Sequence, residues 1–139
     1  MSLVVRRQEG EHLRIGSVHG RPVEILIAPD RTGNREISFG VQEMDPGGKI
    51  PLHNHPDAEE LLYIYQGSAR VTIEGKDYEV GPETAVFFPR GAWHEINVVG
   101  TETLKLTWTF SPPGYEHTFR AMARTGIDHE PPESGRGVG

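Results

Sequence analysis

No cysteine occurs in the 139 residues. Disulfide staples, thiolate metal ligands and cysteine nucleophiles are therefore excluded. Positive charge is scarce too. Lys and Arg number 14 against 20 Asp and Glu, a formal net charge of -6, and no basic run occurs. A nucleic acid or an anionic membrane surface needs clustered positive charge, so neither is expected as a partner. Long apolar runs are missing as well. The opening MSLVVRRQEGEHL has no apolar core of the kind a signal peptide carries, and no stretch is long enough to span a bilayer. These absences lead us to expect a cytoplasmic protein.

Turn formers are abundant, with 17 Gly and 11 Pro, while the hydrophobic fraction is only 35%. They are dispersed between short apolar-alternating runs. That pattern predicts many short strands joined by tight turns. The clearest run is Val23 to Ile27, bounded by Gly20-Arg21-Pro22 and Ala28-Pro29-Asp30. Residues 31–34 read as a turn and 36–44 as a longer strand. Further strands are expected over 49–55, 60–66, 69–74, 76–80, 85–88, 92–99 and 103–110. In the last of these Leu104, Leu106, Trp108 and Phe110 alternate with polar residues. The reading is an all-β, antiparallel barrel or jelly roll. One short C-terminal helix follows, with Ser111 as its cap, Pro112 at its first position and Gly126 at its end. Residues 1–125 are expected to form a single domain, and residues 126–139, polar and rich in Pro and Gly, a disordered tail.

The chemistry gathers between Gly47 and Gly67. His53 and His55 are two apart, so in a strand they face the same way and Asn54 turns away. Glu59 and Glu60 follow a Pro56-Asp57 turn that brings the chain back over them. His94 lies in a second strand, on a face shared with Ala92, Ile96 and Val98. An isolated buried histidine is usually a hydrogen-bonded core residue. A pair with a nearby carboxylate and a distant third histidine on a matching strand points instead to one divalent transition metal. Imidazoles suit Fe, Ni, Cu or Zn, and a carboxylate widens the set to Mn.

The chain resembles the cupin superfamily, in its small single-domain form. The first family motif fits Gly47, His53, His55, Glu60 and Gly67. The second fits Pro89, Gly91 and His94, and the two motifs occupy 47–67 and 83–98. Where the pattern has glycine, aspartate and asparagine, this chain has Glu83, Thr84 and Val98. The resemblance implies the metal set His53, His55, Glu60 and His94. Spacing to Gly67 favours Glu60 over Glu59, which turns Leu62 and Ile64 inward and Tyr63 and Tyr65 outward. Candidate pocket residues are Gln42, Leu62, Ile64, Phe88 and Ile96. The inner wall is mainly apolar, so a poorly charged small organic molecule is the expected ligand.

Several residues are weighed and set aside. Lys49 shares phase with His53 only if the strand is regular, and Pro51 interrupts it. Arg90 sits in a turn. His12, His19, His117 and His129 have no companions in sequence. The family implies an enzyme of dioxygenase type first, with an isomerase or lyase and a non-catalytic binder as alternatives. A homodimer is expected, with the Val23 to Ile27 strand as the edge that pairs.

Overall fold

The computed structural model describes residues 2–16 and 20–128. Ten strands form two sheets. The larger runs β1 (Glu11–Ile15), β2 (Arg21–Ile27), β3 (Ser38–Met44), β10 (Leu104–Ser111), β5 (Glu59–Gln66), β8 (Thr84–Phe88) in spatial order. The smaller runs β4 (Lys49–His53), β9 (His94–Val99), β6 (Ser68–Ile73), β7 (Lys76–Val80). Pairing is antiparallel throughout. The sheets face each other as a jelly-roll sandwich and do not close into one continuous ladder.

Alternation explains which sides meet. Along β10, Leu104, Leu106, Trp108 and Phe110 are buried while Lys105, Thr107 and Thr109 are not. Along β5, Glu60, Leu62 and Ile64 point inward, and Leu61, Tyr63 and Tyr65 stay exposed. Hydrophobic burial of the inner row holds the sheets together. Gly40 is obligatory for this packing. A Cβ there would lie 2.0 Å from the Glu24 carbonyl oxygen and 2.5 Å from the Trp108 ring.

Three details differ from the expectations, and a fourth bears on the family pattern. Residues 29–32 are a helical turn, α1 (Pro29–Thr32), closed by Gly33 at φ 74°. Thr32 donates from its hydroxyl to the Ala28 carbonyl and thereby tightens it. Ser111 does not cap the helix. It pairs with Glu59 in the β10–β5 ladder and donates to the Glu36 carbonyl. Two prolines follow it, and α2 (Tyr115–Thr125) begins only after Gly114, whose N–H is taken by the Glu116 carboxylate. The strand Val23 to Ile27 is not an edge, because β1 covers one side of it and β3 the other. Finally, Glu83 takes φ 60°, the left-handed conformation that suits the glycine of the family pattern. His19, His129 and most of the expected tail lie outside the described residues. The last described residue, Asp128, is ion-paired to Arg21.

Helix α2 packs across β1 and carries the side of the sandwich nearest the histidines. Phe119 and Met122 bury into the core. Arg120 fastens the helix by donating to Glu11 on β1 and to Asp30 on α1. That contact draws the Asp30 carboxyl below its usual value.

Candidate metal centre

His53 and His94 are direct cross-strand partners on β4 and β9. Their rings lie 4.2 Å apart between centroids. Between Ile50 and His53 the register slips, so three steps on β4 match two on β9. This bulge surrounds Pro51, which cannot donate to the ladder. It puts both Ile50 and His53 inward and leaves Lys49 outside, 3.5 Å from Glu95. Lys49 therefore does not share phase with His53.

His55 lies beyond the end of β4, so strand parity does not place it. The loop is positioned by the turn before His94. Gly91 N–H donates to the His55 carbonyl, and Asn54 donates to the Gly91 carbonyl. Arg90 donates to the Asp57 carbonyl, which ties the same two turns together. Asn54 turns away from the site, as expected, and serves it by anchoring its loop. The carboxylate comes from Glu60, at the inward start of β5, while Glu59 is exposed.

The donor atoms of His53, His55, Glu60 and His94 all lie within 4.8 Å of one another. All four residues are buried, at 6%, 5%, 8% and 1% exposure respectively. His53 Nδ1 lies 2.6 Å from the Pro51 carbonyl and His94 Nδ1 2.9 Å from the Ala92 carbonyl. A carbonyl only accepts, so each Nδ1 carries the proton and each Nε2 keeps its lone pair. Such backbone partners orient metal-ligating histidines. Phe88 stacks on the His94 ring at 3.8 Å, and Phe110 and Tyr115 meet the His55 ring edge-on.

Three of the buried ring nitrogens, Nδ1 and Nε2 of His55 and Nε2 of His94, have no hydrogen-bond partner among the described residues. His55 Nε2 is 3.0 Å from Glu60 Oε1, yet the direction of approach is not that of a hydrogen bond. Proximity is what the carboxylate feels. Burial alone pushes Glu60 up, and the neighbouring His55 and His94 rings, once protonated in the metal-free site, outweigh it and bring the group from 4.5 down to about 2. Buried polar atoms without partners are costly. Lone pairs and a carboxylate gathered at one spot fit a divalent cation, which would satisfy them together. The donor set does not select among Fe, Mn, Ni, Zn and Cu.

Of the expected pocket residues, Gln42, Leu62 and Ile96 line the void beside the donor atoms. Phe88 touches His94 instead, and Ile64 belongs to the core. That inner void is about 20 Å³, room for one water. A groove of about 600 Å³ reaches His53 and His55 from outside. It runs between the 53–58 loop and α2, and Pro56, Pro112, Tyr115 and Met122 are among its walls. Tyr115 lines both spaces. Tyr115 is not among the site residues expected from the sequence. Its place one turn before Phe119 did signal an inward face. Arg21 was missed outright. It is 8% exposed and lines the inner void with Gln42. Its parity with Val23 and Ile25 on β2 was the signal. His12 and His117 are surface residues, as expected.

Two facing antiparallel sheets around three imidazoles and a carboxylate define a small metal-binding β-sandwich protein. Residues 40–110, about half of the chain, match the cupin domain, and the chain belongs to that family. Among relatives, it is 27% identical over 93 residues to a polyketide synthase protein, CurC, of Streptomyces cyaneus, covering 67% of this chain and 60% of that one. It is 31% identical over 91 residues to the dimethylsulfoniopropionate lyase DddW of Ruegeria pomeroyi, covering 66% and 59%. The chain thus spans about three fifths of the length of these relatives. The solved polyketide cyclase RemF from Streptomyces resistomycificus superposes with a TM-score of 0.68 at 25% identity, covering 81% of each chain. Among the described residues no helix is long and apolar enough to cross a membrane.

Proposed function

We propose that this chain is a metal-dependent enzyme acting on a small, mainly apolar organic molecule that carries a carbonyl or enol oxygen. The observation that carries the reading is the meeting of the four-residue donor cluster with the groove of about 600 Å³. A metal held by His53, His55, His94 and Glu60 would supply Lewis-acid polarisation of that oxygen.

The chain's own residues do the rest. The Pro56, Pro112 and Met122 walls favour a flat apolar body and exclude water from it. Tyr115 sets its ring edge-on against His55, at 4.3 Å between centroids. It thereby holds that imidazole in place. Among the described residues the groove offers two titratable side chains besides the histidines, Asp57 and Tyr115. Asp57 is exposed at the mouth. Tyr115, which reaches the inner void as well, is the proton carrier for a carbon acid next to the polarised carbonyl. The names of the polyketide cyclase and lyase relatives support this proton-transfer reading.

A second reading, a dioxygenase, has its own support. The aromatic walls made by Phe88, Phe110 and Tyr115 enclose the cluster, and four protein ligands leave a five- or six-coordinate metal open positions. The experiment separates the two. β-Diketones and aromatic diols are offered to the metal-loaded chain, with oxygen uptake followed in air and solvent deuterium exchange followed without oxygen. Anaerobic exchange that drops at least about 100-fold in Tyr115→Phe supports proton transfer. Oxygen uptake that survives Tyr115→Phe supports the dioxygenase. Neither signal from a fully loaded sample removes both.

A further inference from the structure

At the other end of the inner void, Arg21 presents a buried cation. Its Nε donates to Gln42 Oε1 at 2.6 Å. Its two terminal nitrogens both reach the carboxylate of Asp128, one of them at 2.9 Å. Because Arg only donates, the Gln42 oxygen must face it, and the Gln42 amide nitrogen points elsewhere. No described residue accepts from that nitrogen. Gln42 is 4% exposed.

Arg21 and Asp128 also border a surface cleft of about 720 Å³, walled by residues 14–16, 20–22 and 43–49. The other acids of the cleft are engaged elsewhere. Glu43 pairs with Arg7 at 2.7 Å, and Asp45 accepts from the Thr103 hydroxyl at 3.0 Å. Arg14 donates to the Gly20 carbonyl and has no carboxylate partner among the described residues. Asp128 is therefore the group that neutralises the guanidinium, and it comes from the chain segment after α2, not from a strand. Take that carboxylate away and, among the described residues, Arg21 keeps only the Gln42 oxygen as an acceptor. A bidentate guanidinium face beside an apolar floor of Ile15, Pro22 and Met44 is a carboxylate site by its chemistry.

We propose that Arg21 is a binding site for a small organic carboxylate, which enters through this cleft and takes the place of Asp128. Asp128 is the internal competitor, so the free site is a minority state and the apparent affinity is reduced by the fraction free. The site opens to the surface cleft, at the far end of the void from the metal cluster, and binding there makes no demand on turnover.

Benzoate is titrated into the full-length chain as purified, at constant ionic strength, with benzamide as its neutral twin and metal content measured in parallel. We expect benzoate to bind better than benzamide, and Asp128→Asn to bind benzoate about tenfold tighter than the parent. Arg21→Gln should lose the preference for benzoate at unchanged metal content. Arg21→Lys, which keeps the charge and loses the fork, should fall between. Benzoate binding that survives in Arg21→Gln means that the metal or the groove holds it, and overturns the proposal. So does equal binding of benzoate and benzamide, or an Asp128→Asn affinity within about twofold of the parent or too weak to measure. A chain that binds benzoate as expected but shows no turnover leaves this site standing and removes only the enzymatic reading of the metal groove.

Discussion

One narrow void joins two buried polar clusters, and they are built on opposite plans. The Arg21 end has its charges paired from within: the guanidinium meets the Gln42 oxygen and the Asp128 carboxylate. The histidine end is not so paired, since three of its ring nitrogens lack a hydrogen-bond partner among the described residues. Desolvated polar groups persist in a fold when the chain pairs them or when a guest does. The charges of the first cluster are balanced in the protein alone, and the lone pairs of the second fit a cation. A buried charge near a cavity is thus not by itself a sign of a missing cofactor. The sign is the set of lone pairs left over.

The largest effects should come from removing a donor at the open cluster. His53→Ala, His94→Ala and Glu60→Gln should each lower metal affinity by more than about 100-fold, read as metal content after dialysis. Glu59→Ala should leave the metal bound, because that side chain is exposed on the other face of β5. The reverse result for the two glutamates would break the assignment. Chelation should lower the melting temperature of the parent, and addition of metal should restore it. The same chelation should leave the melting temperature of His94→Ala unmoved.

How far the sequence carried this contrast depends on which rule placed each residue. Strand parity put Glu60, Leu62 and Ile64 inward and left Tyr63 and Tyr65 outside, as the structure has them. Parity was also the reason given for pairing His53 with His55, and there it was the wrong rule. His55 is outside the strand and is held by Asn54, Gly91 and Arg90 across two turns. Long-range hydrogen bonds of that kind leave no periodic trace. Lys49 was set aside because Pro51 interrupts its strand, and the bulge there does turn it outward. Arg21 was read as a strand boundary because it stands between glycine and proline. Its partner Asp128 lies 107 positions away, beyond the reach of any local pattern. The motif residues were legible because the family's turn spacing encodes them, and the second cluster was not because no motif does.

Acid should separate the clusters next. Metal binding needs neutral imidazoles, so affinity should fall as the pH drops below neutrality, with a limit of about three protons taken up per metal released. Glu60 should not contribute to that fall, since its carboxyl sits near 2. In the metal-free chain the sign follows from the same value. The folded group lies below its ordinary 4.5, so its contribution is fully present above pH 4.5 and disappears as the pH falls toward 2. Denaturant melts of the metal-free parent and Glu60→Gln should therefore converge on acidification through that window. Curves that stay parallel would mean that the imidazoles do not hold the carboxylate as the geometry indicates.

The smallest effect tests whether the two clusters are energetically separate at all. Gln42 lies between them, with its oxygen on Arg21 and its side chain in the wall of the metal void. Gln42→Met keeps the length and removes the acceptor. Arg21 then keeps Asp128 but loses one buried hydrogen bond, a cost of about 1 to 2 kcal/mol in a denaturant melt. Metal affinity should stay within about twofold, because among the described residues Gln42 hydrogen-bonds to Arg21 and not to a ligand histidine. If affinity falls tenfold instead, the amide is part of the network around the metal. The contrast between a charge-paired end and an open end would then give way to one continuous polar track through the sandwich.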